Sequence, residues 1–108
     1  MNLDRFTLKA QEALQRAAQL GREEGHAELT PEHLALALVE QEAGTVPALL
    51  GRIGVPAPAL AADLEAALAK LPRVSGEGHE PRLSPPLVKL VDLAEEIARE
   101  FRDDYVAA

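Results

Sequence analysis

RLSPPLVKLVDLAEEIAREFRDDYVAA, residues 82–108, lies without a gap on RFTLKAQEALQRAAQLGREEGHAELTP, residues 5–31, when the chain is shifted by 77 positions. Arg5 meets Arg82, Phe6 meets Leu83, Thr7 meets Ser84, Leu20 meets Ile97 and Leu29 meets Val106. The identities are sparse, but the apolar positions stay in step, so the chain reads as an internal repeat in which each copy opens with an amphipathic helix. Ala108 falls opposite Pro31, so the second copy reaches only the point where its second helix would begin.

In the first copy Phe6, Ala10, Ala13, Leu14, Ala17, Leu20 and Gly21 share one face at helical spacing. A helix from about Asp4 to Glu24 is expected, with Gly25 as its stop. Thr30-Pro31 opens the next one, a hydroxyl N-cap followed by a proline whose missing N–H costs nothing in a first turn. Its core stripe is Leu34, Leu38 and Val39. Gly44 breaks that helix, residues 46–54 form a short third one ending at Gly54, and a fourth follows from Pro56 or Pro58. Leu60, Leu64, Leu68 and Leu71 give that fourth helix a seam that predicts burial. Residues 72–82 have no apolar period and read as an exposed linker. Ser84-Pro85-Pro86 then repeats the cap-plus-proline start, and Leu87, Leu90, Val91, Ala94, Ile97, Ala98 and Phe101 form the strongest stripe in the sequence. The expected organisation is a first repeat over 1–71, a linker over 72–82, and the start of a second repeat, one long helix, over 83–108. The fold class is all-α.

Composition narrows the function. Of 108 residues, 47% are apolar but only 3% aromatic, so the core must be built from Leu, Val, Ile and Ala. A formal charge of −7 argues against nucleic acid and anionic membranes as partners, since either needs a basic face. With no cysteine there is no disulfide framework, thiolate nucleophile or Cys-type zinc site. The N-terminal MNLDRFTLKAQEAL carries charge where a secretory signal needs an apolar run, and a cytoplasmic location is expected.

MNLDRFTLKAQEAL, ELTPEHLALALVEQEAG, and LPRVSG after a leucine-seamed helix resemble the N-terminal Clp-repeat domain of the Clp-type AAA+ unfoldases, and within them the ClpB disaggregases. The resemblance covers essentially the whole chain. It implies an all-α domain of two pseudo-symmetric four-helix repeats joined flexibly to an ATP-driven ring, which recognises apolar segments of unfolded or aggregated proteins and passes them to the ring's pore. The departure is the second repeat, represented by its first helix alone. No G-x-x-x-x-G-K-[ST] occurs in the sequence, so the chain itself is not expected to be an enzyme, and no cofactor is implied.

The resemblance places the peptide-binding groove on the helix that opens the second repeat. It implicates Val91 and Leu93, with Thr7 near the functional surface. On the residues alone, Leu93 sits at the margin of the stripe and Val88 well outside it. An apolar side chain just off a buried stripe, as Leu93 is, suits a shallow, sequence-tolerant groove, and Val88 is carried as a further candidate. Leu93 reads equally well as packing against further helices, Val91 reads first as packing, and Thr7 reads first as a capping hydroxyl. His26, His33 and His79 lack the spacing of a zinc site, and the acidic run from Asp92 to Asp104 reads as a solvated helix face. Two other functions stay open: docking of a folded adaptor, as in ClpA and ClpC, and assembly into a homodimer through the uncovered face of residues 87–101.

Overall fold

The computed structural model describes residues 8–42, 44–74 and 80–107, with side-chain detail as far as residue 100 except at 98. Five helices follow in the order α1 Leu8–Glu24, α2 Pro31–Glu40, α3 Thr45–Arg52, α4 Ala57–Ala69 and α5 Pro85–Ala107. The fold is all-α, with one addition that the sequence reading did not contain: two-residue strands β1 Glu28–Leu29 and β2 Arg82–Leu83, paired in parallel.

Small side chains set the first contact. Ala13 and Ala17 are buried on α1 and meet the buried Ala37 of α2, with Leu34 and Leu38 packed alongside. Methyl groups on both sides let the two backbones approach closely, and the far end of the hairpin is closed where the Gln41 side-chain amide donates to the Lys9 carbonyl at 2.7 Å. Gly21 completes the α1 ridge: a Cβ there would stand 2.4 Å from Leu29 Cδ2. Gly25 ends α1 in the left-handed region at φ 68°, and Gly54 does the same after α3 at φ 79°.

Two seams differ from expectation. On α2 the buried positions are His33, Leu36, Ala37 and Val39, while Leu34 and Leu38 are half-buried. This helix lies among α1, α4 and α5, so it buries most of its circumference and leaves Leu34 and Leu38 facing the gap between α1 and α5. On α4 only Leu68 is buried, and Leu60, Leu64 and Leu71 stay half-buried. That helix lies at the edge of the bundle against α2 and α3, and a single-sided contact covers part of a leucine seam.

Residues 25–29 hold the segment before α5 in place. The Gly25 carbonyl accepts the Val74 N–H at 2.6 Å, Ala27 accepts the Arg82 N–H at 3.1 Å, and Leu29 accepts the Ser84 N–H at 2.9 Å. Exposed ion pairs between Arg73 and Glu24 and between Arg22 and Glu80 run alongside and add little, about 0–1 kcal/mol each. Ser84 then starts α5, its buried Oγ accepting the Leu87 N–H at 3.2 Å. Ser84→Ala is expected to cost about 1 kcal/mol in urea unfolding, with Ser84→Asp recovering most of it. Equal loss in both variants would show that packing, not capping, matters there.

The corner before α2 is built from two histidines. His33, the third residue of α2, receives the Thr30 backbone N–H on Nδ1 at 2.9 Å, the role that Glu or Gln fills in an ordinary capping box. Its Nε2 lies 2.8 Å from His26 Nδ1. Both rings are sealed from solvent, at 2% and 0% exposure.

Candidate peptide-binding groove

α5 meets the first repeat along one edge of its stripe. Leu87 and Val91 are buried and form a cluster with Leu29, against which Leu14, Ala18, Leu34 and Leu83 pack. At about 100° per residue, Ala94, Leu90, Ile97 and Leu93 lie progressively to one side of that edge. They are exposed: Leu90 is 41%, Leu93 51% and Ile97 55% accessible. The sequence reading placed Leu90, Ala94 and Ile97 inside a buried stripe, and the repeat explains why they are not. Their partners in the first copy, Ala13, Ala17 and Leu20, lie on the face of α1 where α2 packs, and no described element packs in the corresponding place on α5.

Between α1, α2 and α5 runs a groove with a cavity of about 190 Å³. Ala10 and Leu14 line one wall, Leu34 and Leu38 the floor, and Leu90, Val91 and Ala94 the other wall, with no polar side chain among them. Leu14 and Val91 are repeat equivalents, so the two opening helices of the two copies face each other across it. A uniformly apolar trough holds a ligand by non-directional burial and sets no condition on its sequence beyond hydrophobicity.

The four candidates separate in space. Val91 belongs to the core and the groove at once, its side chain packed on Leu29 and Leu87 and also forming part of the wall. Leu93 stands on the exposed apolar surface beside the groove. Val88, 39% exposed, lies about 160° around the helix from Leu90, so it is not brought to the groove. Thr7 lies outside the described residues, as does His79. Ala10, Leu14, Leu34, Leu38, Leu90 and Ala94 line the groove without being among the four candidates. The signal for two of them was available in the repeat, which sets Ala10 and Leu14 opposite Leu87 and Val91.

A second depression, about 250 Å³, lies between α1, α2 and α4 and differs in chemistry. Leu20, Leu36 and Leu68 form its base, while Glu24, Glu40, Glu65 and Arg16 line its margin. Among the described residues no three metal-type ligands come together, and His26 and His33 are committed to each other.

A helical repeat and the opening helix of a second, with an apolar trough between them, are the architecture of a Clp-type N-terminal domain. Residues 5–108 match the family model of the Clp repeat N-terminal domain, and the chain belongs to that family. Chaperone protein ClpB of Nitratidesulfovibrio vulgaris is 44% identical over 114 residues, covering 99% of this chain and 13% of the relative. ClpB of Bdellovibrio bacteriovorus is 39% identical over 102 residues, with 94% and 12% covered. The chain thus spans about one-eighth of the length of these relatives and corresponds to the N-terminal domain of a ClpB-type protein. Among solved structures, the N-terminal domain of the ClpV1 ATPase from an enteroaggregative E. coli type VI secretion system superposes with a TM-score of 0.75 at 33% identity, covering 83% of this chain and 54% of that one. A ClpV N-domain in complex with a VipB peptide superposes at 0.67 with 27% identity, covering 85% and 54%.

Proposed function

We propose that this domain captures exposed apolar segments of unfolded or aggregated proteins for a cytoplasmic ClpB-type disaggregase ring, and that the groove between α1, α2 and α5 is where they bind. The observation that carries this reading is the all-apolar lining, continuous with exposed Leu90, Leu93 and Ile97 on α5. The ClpV N-domain solved in complex with a VipB peptide supports it, since that domain shares the fold. Delivery to a pore requires release, so affinity should be low, with Kd on the order of 100 µM, about −5.5 kcal/mol. The domain does no chemistry and contributes recognition alone.

The test is an NMR titration of the labelled chain with a short unstructured apolar peptide at low and high salt. Shifts should concentrate on Leu14, Leu38, Leu90 and Val91 and be insensitive to salt, because burial is not screened. Leu90→Asp and Leu38→Asp should each weaken binding about tenfold, as expected for losing roughly 1.5 kcal/mol of buried leucine. Unchanged affinity in both would sink the assignment.

A second reading, adaptor docking, draws on the acidic margin of the α1–α2–α4 depression. Shifts concentrated at Glu40 and Glu65 that collapse in high salt would favour it. Homodimer formation through Leu90, Leu93 and Ile97 is tested by sedimentation: a concentration-independent monomer excludes it, whereas a dimer that peptide dissociates shows that copy and substrate compete for one surface.

A further inference from the structure

His26 and His33 are buried, titratable and have no part in the groove. Their geometry fixes every proton. The Thr30 N–H can only donate, so His33 Nδ1 is bare and its neutral ring carries the proton on Nε2. That proton is donated to His26 Nδ1, 2.8 Å away, which leaves His26 protonated on Nε2. Three ring nitrogens and one amide thus make two hydrogen bonds with two protons. The Thr30 hydroxyl lies 3.0 Å from the same His33 Nδ1, so a third proton either sets donor against donor between the rings or turns His33 Nδ1 to the hydroxyl and displaces the Thr30 N–H, in a site that is 0–2% exposed.

The pair straddles the strand on which α5 is held. His26 precedes β1 and also bridges to Arg73, and Thr30 and His33 follow β1. Between them, Ala27 and Leu29 accept the amides of Arg82 and Ser84, and Leu29 packs on Leu87 and Val91. We propose that the His26–His33 relay is an acid-sensitive latch: when it gains a proton, the residue 26–30 corner shifts, β1 releases β2, and α5 leaves the first repeat, taking the groove wall with it.

Charged side chains close to the pair along the chain or across the bridge are Arg22, Glu23 and Glu24 at the end of α1, Glu28 on β1, Glu32 in the first turn of α2, Arg73 across the bridge and Arg82 on β2. Glu24 and Arg73 are paired with each other at 2.8 Å. Burial, and then the neighbouring His26, hold the His33 imidazole below its ordinary value, against smaller opposing effects of Glu32 and the Thr30 backbone. A lowered folded value means that the unfolded chain binds the proton more readily. The latch is therefore fully closed above the ordinary imidazole range, about pH 6.5, and weakens as pH falls below it.

The experiment follows imidazole nitrogens and amide exchange in the ¹⁵N-labelled 108-residue chain from pH 8 to 5. At pH 8 the His33 ring should carry its proton on Nε2. Below about pH 6.5, protection of the Arg82 and Ser84 amides, corrected for intrinsic exchange, should fall up to about tenfold per pH unit relative to mid-α1 amides such as Ala17. In H26Q/H33Q, which keeps donors and acceptors at both positions but nothing that titrates in this range, that slope should vanish. Protection at Arg82 and Ser84 that is flat in pH, that falls in parallel with α1, or that keeps its slope in H26Q/H33Q would overturn the latch. So would an Nδ1–H tautomer at His33 at pH 8, a result read from the native chain whether or not the variant folds.

Discussion

His33→Ala is expected to cost the fold about 4 kcal/mol, lowering the melting temperature by roughly 20 °C for a domain of this size. Two penalties combine. Removing a fully buried ring opens a void that α1 and α2 cannot close, and it strips partners from the Thr30 N–H and from His26 Nδ1. His33→Gln is the control, because its amide can accept from Thr30 and donate to His26 as the ring does, and it should lose no more than about 1.5 kcal/mol. Chemical unfolding of the two variants decides the matter: equal losses would mean that ring volume alone is what the site requires.

Leu87→Ala should be nearly as costly, about 3 kcal/mol, but the loss should fall on one element. Leu87 is 1% exposed and packs with Leu29 and Val91 at the junction of α5 with the first repeat. Hydrogen exchange should therefore show α5 losing protection while α1, α2 and α4 keep theirs, and the apolar peptide should lose its site with α5. Val88→Ala, one residue along on the open side, should change stability by less than about 0.5 kcal/mol. Uniform loss of protection across all helices in L87A would show that α5 and the first repeat unfold as one unit.

Much of this fold is written in local signals. Thr30-Pro31, Ser84-Pro85, Gly25 and Gly54 each mark a helix end by a mechanism confined to a few residues, and the helices begin or stop beside them. The family was legible for a related reason, since the Pro31-Glu32-His33-Leu34 helix start and the shifted repeat are carried by contiguous residues. The β1–β2 pairing was not, because two residues are too short for an alternating pattern and their partners lie far apart in the chain. Burial on α5 was misread for a different reason. Leu87 and Leu90 are equally apolar, and only the number of helices around α5 decides that one is sealed and the other open. Of the groove, the sequence indicated one wall, at Val91. The facing wall and the floor required knowing that α1 and α2 lie opposite. His33 shows the same limit: its spacing argued against zinc, but nothing local indicates that its ring reaches His26.

The parallel register of Glu28 with Arg82 also sets an order of events during synthesis. Closing that ladder joins residues about 54 positions apart, an entropic cost of (3/2)RT ln n that exceeds that of the Lys9–Gln41 closure by only about 0.5 kcal/mol, but that cannot be met until Arg82 has been made. The hairpins of the first repeat can form as soon as they clear the ribosome, but β1 keeps an open edge until Arg82 and Leu83 emerge. At about 5–20 residues per second, the 54 residues from Leu29 to Leu83 take about 3–11 s to be made. For that interval the nascent domain presents an unpaired strand beside an uncovered Leu29, so a domain proposed to receive exposed apolar chain begins its own life displaying some.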